Sequence, residues 1–89
     1  MISRKMIIIN KLGLHARAAS KLVSKAGQFE SDIFLDKQGN RVNAKSIMGV
    51  MMLAASKGTE VVLEVDGNDE EPCMEALVEL INNRFDESE

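Results

Sequence analysis

The chain contains a single histidine, His15, flanked by a loop containing Gly13 and by a helical pattern that begins at Ala16, with Arg17 two residues on. That position aims the free N–H groups of a helix N-terminus at the imidazole. Such amides and the helix dipole favour phosphate by about 0.3–1 kcal/mol, up to about 2 where partly buried, and Arg17 adds a planar donor fork. The chemistry this set supports is phosphoryl capture. An ordinary imidazole, with a pKa of about 6.5, is mostly neutral at pH 7 and can attack phosphorus with a ring lone pair, without a base. Ser20, Ser24, Ser46 and Ser56 would each need an adjacent base, and one histidine cannot serve all of them. On spacing alone, a lone histidine before a helix is more often a capping or surface residue.

The elements that must position His15 are few. The 89 residues, 45% hydrophobic and 28% charged, fit one compact domain spanning 1–89. A chain this short buries about 60–65% of its unfolded surface, so function is expected on the surface rather than in a deep cavity. Eleven Lys+Arg against fourteen Asp+Glu give a net charge of −3, which provides no general basic field for nucleic acid or anionic membrane. Cys73 is alone, which excludes an internal disulfide and a multi-cysteine metal site and suits a reducing compartment, the cytoplasm by expectation. The longest apolar run, Ile47 to Ala55, is far short of the roughly 18–20 residues of a membrane span, and Met6 to Ile9 is too short for a signal-peptide core. No phosphate-loop motif is present, and no cofactor or metal is expected.

Along the chain, Lys5 to Ile9 predicts a buried first strand, and Asn10-Lys11-Leu12-Gly13 a loop. From Ala16, the residues Ala19, Leu22, Val23 and Ala26 fall at helical spacing, with Gly27 as the stop. Ser31 to Lys37 and Arg41 to Asn43 predict a hairpin joined through Gln38-Gly39-Asn40. Ser46 is placed to cap a second helix from Ile47 to about Ser56, with Lys57 at its end and Gly58 beyond it. Glu60 to Val65 alternates as a fourth strand. Asn68 with Glu71 then suggests a capping box for a third helix, on which Cys73, Met74, Leu77, Val78, Ile81 and Phe85 form an apolar stripe. Asp86 to Glu89 is expected to be a frayed acidic tail. The order βαββαβα implies an α+β fold whose small sheet is covered by helices on one face.

The stretch Gly13-Leu14-His15-Ala16-Arg17-Ala18-Ala19, with Asn43-Ala44-Lys45-Ser46-Ile47-Met48 and Lys57-Gly58-Thr59, closely resembles the HPr family of bacterial phosphocarrier proteins. The resemblance covers nearly the whole chain. It implies an HPr-like open-faced sandwich, a four-stranded antiparallel sheet with three helices on one face. It also implies a phosphotransferase-system carrier rather than a stand-alone enzyme. Enzyme I, charged by phosphoenolpyruvate, would phosphorylate His15 on Nδ1, and His15 would pass the group to an EIIA-type protein. Arg17 and the Ala16 backbone amide would stabilise the phosphate. Where the family usually has proline, this chain has Ala18. Alanine is the better helix former there, so helix geometry should survive.

Ser46 reads both as a plain helix cap worth about 1 kcal/mol and, by the resemblance, as a site for an HPr kinase/phosphorylase. The methionine-rich segment reads as core by composition. The resemblance instead implies that Ile47, Met48 and Met51, beside Ser20 and Lys21, dock partner proteins, leaving Met52 and Leu53 to the core. Lys21, Lys25 and Lys45 could steer an acidic partner or simply form a solvated face, and Cys73 is expected to be an inert buried hydrophobe. A purely regulatory docking module would use the same methionine-rich face without needing His15, whereas a small hydrolase lacks an acid partner for the histidine. Ile9 to Gly13 and Arg84-Phe85-Asp86 look more like nitrogen-related than sugar-transport carriers. A monomer is expected of a transient binder.

Overall fold

The computed structural model describes residues 1–88. Alternation decides the sheet, because successive strand side chains face opposite sides. Strand β2 (Asp32–Lys37) buries Ile33 and Leu35, and β4 (Glu60–Asp66) buries Val61, Leu63 and Val65. Their antiparallel register sets Ile33 opposite Val65 and Leu35 opposite Leu63, which makes one face continuously apolar. Strands β1 (Ile2–Ile7) and β3 (Asn40–Asn43) flank this pair, giving the order β1-β4-β2-β3 with every pairing antiparallel. Helices α1 (Ala16–Ala26), α2 (Ile47–Met52) and α3 (Glu70–Asn82) complete the βαββαβα order. Leu22 of α1, Val50 of α2 and Leu77 of α3 join the apolar face of the sheet in one buried cluster.

Several expected boundaries shift, each for a physical reason. Strand β1 starts at Ile2 and lies at the sheet edge, so of its six residues only Met6 is buried. Ile8 is buried beyond the strand end, where it exchanges hydrogen bonds with the Gly58–Thr59 turn. Arg4 shares the inward face opposite Leu63, but the edge position beside Glu71 and Glu75 keeps it exposed. Helix α2 ends at Met52 rather than Ser56. The chain leaves it through a left-handed Ala54 (φ 51°), which allows Leu53 and Ala55 to be buried, while Gly58 belongs to the turn before β4.

Gly27 follows α1 as expected, although its φ of −66° is right-handed. Ala18, where the resembling family usually has proline, is completely buried in the first turn. At the start of α3 the capping residue is Asp69, and the expected Asn68–Glu71 box does not form. The Asp69 carboxylate accepts hydrogen bonds from the Glu30 and Ser31 amides and from the Ser31 hydroxyl, while Glu70 accepts the Gly67 N–H. These bonds, led by the Ser31 hydroxyl, hold the Asp69 carboxyl below its ordinary pKa. The buried stripe of α3 is Cys73, Met74, Leu77, Leu80 and Ile81, with Val78 only partly buried.

The largest departure is at Asp86 and Glu87, the first residues of the expected frayed tail Asp86 to Glu89, which are held in place. Arg84, Phe85 and Asp86 form a single turn in which all three residues have positive φ (56°, 54° and 63°). Three consecutive left-handed non-glycine residues cost on the order of 1–2 kcal/mol each, so the surrounding packing must impose the turn. Phe85 supplies that anchor: it is fully buried, in this turn rather than on the α3 stripe. Glu89 lies outside the described residues.

Candidate phosphoryl-transfer site

The loop between β1 and α1 is held from within. Asn10 is fully buried, its Nδ2 donates to the Gly13 carbonyl at 2.8 Å, and the Gly13 amide donates back to the Asn10 carbonyl at 3.2 Å. Gly13 is required twice over. Its φ is +68°, and a Cβ there would meet the Ala55 carbonyl oxygen at 2.5 Å. This close approach lets the Leu14 amide donate to Ala55 at 2.8 Å, which ties the loop to the segment that follows α2.

His15 comes next in an extended conformation (φ −77°, ψ 178°) as the capping residue of α1. Its carbonyl accepts the Ala19 amide at 2.8 Å, but its side chain caps nothing and is 28% exposed. Ala16 and Arg17 are exposed in the first turn, where the leading amides have no intrahelical acceptor. No acidic residue occupies that turn and Lys25 sits in the last one, so the positive end of the dipole is left for an external anion. His15, Ala16 and Arg17 line one open depression together with Lys11, Lys21 and Glu87.

Glu87 is the member of this site that sequence reasoning missed. Its Oε2 lies 2.5 Å from His15 Nε2, and its Oε1 accepts a hydrogen bond from Asn10 Nδ2 at 2.9 Å. Burial of the Glu87 carboxyl opposes ionisation, but hydrogen bonds from Asn10 and His15, with the charges of His15 and Arg17, outweigh it and hold the group below its ordinary pKa. Seventy-two positions separate the two residues. The only sequence signal was an acidic residue shortly after an apolar one, Phe85, near the chain end. Asn10 Oδ1 has no partner among the described residues, so this buried amide contributes as a double donor.

The other singled-out residues divide by environment. Ser46 caps α2, its hydroxyl accepting the Gly49 amide at 3.2 Å, and it is half-buried. Ile47, Met48 and Met51 are exposed on α2, which packs against α1, the helix that carries exposed Ser20. Met52 is not core as expected but the most exposed of the group at 74%, while Leu53 is buried. The early end of α2 explains this, because beyond Met52 the chain turns inward. Lys21 lies 3.7 Å from Asp86, Lys45 donates to the Phe29 carbonyl at 2.8 Å, and Lys25 is half-buried. Cys73 is fully buried, and desolvation pushes its thiol up to about 11. Among the described residues no cluster of three or more His, Cys, Asp or Glu is arranged to hold a metal ion, and no helix is long and apolar enough to cross a membrane.

Residues 2–83 match the family model described as the PTS HPr component phosphorylation site. A phosphocarrier protein HPr from Cupriavidus necator is 57% identical over 89 residues, covering 100% of both chains. HPr-C-His from Thermoanaerobacter tengcongensis has a similar structure, with a TM-score of 0.96 and 46% identity over 100% of both chains. An HPr dimer from the same organism matches at a TM-score of 0.79 and 47% identity, covering 98% of this chain and 100% of that one.

Proposed function

The chain belongs to the HPr family of the phosphotransferase system, and from that premise we propose that His15 accepts a phosphoryl group on Nδ1 from enzyme I and passes it to an EIIA-type protein. The observation that carries this reading is the partly exposed His15 side chain at the start of α1, whose Nδ1 has no hydrogen-bond partner among the described residues. Arg17 beside it would pair with phosphate oxygens, and the Ala16 amide would direct a partial positive charge at them. Because the depression is open, both a donor and an acceptor protein can reach the ring. Stabilisation of the bound phosphate must stay moderate, or onward transfer would stall.

In this reading residues 1–89 act as one domain, a monomeric cytoplasmic carrier, with no metal or cofactor needed for transfer. The exposed Ile47, Met48 and Met51, with Ser20 and Lys21 on the adjoining helix, are the docking surface for enzyme I and the acceptor. Unbranched, polarizable methionine suits a surface that must fit more than one partner. Ser46 is the regulatory position: phosphorylation by an HPr kinase/phosphorylase would place about −1.5 to −2 charge beside that surface.

Incubation with enzyme I and phosphoenolpyruvate, read by intact mass, tests the assignment. One added acid-labile phosphoryl group that is absent from a His15→Ala protein is the expected result. No addition with active enzyme I, or addition that survives in His15→Ala, would overturn it.

A further inference from the structure

The end of the chain is built to bring one carboxylate to one ring nitrogen. Both oxygens of Glu87 are engaged, one by His15 Nε2 and the other by buried Asn10, whose Nδ2 also binds the Gly13 carbonyl of the same loop. The carboxylate is thus aligned with the backbone that positions the ring. The side chain is only 14% exposed, and it follows a left-handed turn locked by a fully buried Phe85. Strained backbone of this kind persists only where packing imposes it.

We propose that Glu87 is a positioning residue for His15: its carboxylate accepts the Nε2 proton of the neutral ring, which confines the lone pair to Nδ1 and offsets the charge the ring gains on phosphorylation. A neutral imidazole has one protonated and one unprotonated nitrogen, and a carboxylate at Nε2 selects the form with hydrogen there. The selection of this form is a property of the free protein; the charge effect rests on the phosphoryl-carrier reading. In the transfer, the Nδ1 lone pair forms the N–P bond while the bond from phosphorus to the donor breaks, its electron pair leaving with the donor. The Nε2 proton remains on the ring, whose new positive charge faces Glu87. The same contact serves discharge, because a ring protonated on Nε2 is the better leaving group. The other charged groups lining the depression are Lys11, Arg17, Lys21 and Asp86. Among the described residues, the carboxylate of Glu87 is the group that meets Nε2, which gives it the geometry for the role.

Long-range ¹H–¹⁵N spectra of histidine-labelled protein, recorded about 1.5 units above the ordinary imidazole pKa of about 6.5, read the tautomer directly. Wild type is expected to carry hydrogen on Nε2, Glu87→Gln to keep that form through its amide oxygen, and Glu87→Ala to show a mixture. Phosphorylation by enzyme I should slow in kcat about tenfold in both variants, the loss of one charge-assisted hydrogen bond, with KM unchanged. Hydrogen on Nδ1 in the wild type, or a Glu87→Ala protein with unchanged tautomer and kcat, would overturn the proposal. If wild type shows the Nε2–H form but accepts no phosphoryl group at all, the carrier reading fails and the ring-positioning role stands.

Discussion

Glu87 and His15, 72 positions apart, meet through a contact of 2.5 Å between Oε2 and Nε2, with Asn10 holding the other carboxylate oxygen at 2.9 Å. Because the folded state holds the Glu87 carboxyl below its ordinary pKa, its contacts add stability that is fully present above the unfolded value. That stability is lost as pH falls through the lower, folded value. Urea unfolding across a pH series should therefore show wild type more stable than Glu87→Gln near neutrality, with the two converging in acid. A gap that stays constant into the acid range would contradict the linkage.

Gly13→Ala should destabilise the protein by about 2–4 kcal/mol, from a left-handed φ and from overlap with the Ala55 carbonyl. Gly39→Ala is the control. Gly39 also has a positive φ but open space around it, so the cost should be only about 1–2 kcal/mol. Denaturant midpoints of the two variants check this order, and phosphorylation of His15 should suffer only in the first.

Ser46→Ala removes the acceptor for the Gly49 amide and should cost about 1 kcal/mol. Ser46→Asp keeps a capping oxygen, so its stability should stay close to wild type. Its added charge should nevertheless slow phosphorylation of His15 by enzyme I. Equal rates for Ser46→Asp and wild type would remove the regulatory reading of Ser46 and leave the cap.

Met48 is 67% exposed on α2, so Met48→Glu should leave stability within about 0.5 kcal/mol of wild type. If α2 is the docking surface, KM for the protein as substrate of enzyme I should rise about tenfold or more, the cost of spoiling a central contact. Unchanged KM with unchanged stability would place docking elsewhere.

The element order and the start of α1 at Ala16 were legible because they rest on local signals: alternation in β2 and β4, 3.6-residue spacing in α1, and Ser46 before an apolar segment. The departures arose where tertiary contacts override local pattern. Helix α2 ends at Met52 because Leu53 and Ala55 are drawn into the core, and no residue type in Ile47 to Ser56 marks that point. The apolar run at Lys5 to Ile9 reads the same whether its residues pair with β4 or, like Ile8, are buried just past it. His15 and Arg17 could be picked out as a pair because they are neighbours in sequence. Glu87 could not, since it reaches His15 through the left-handed turn at Arg84–Asp86, a conformation that Arg and Phe do not favour.

In the proposed function, His15 Nδ1 carries a phosphoryl group between two proteins. The most direct test is ¹⁵N–³¹P coupling in histidine-labelled protein charged by enzyme I and phosphoenolpyruvate, before and after adding an EIIA-type acceptor. Coupling at Nδ1 of His15 that disappears on addition of the acceptor, as the free ring returns, is the expected result. Phosphate on Nε2 or on Ser46, or an Nδ1 phosphate that no EIIA-type acceptor discharges, would contradict it.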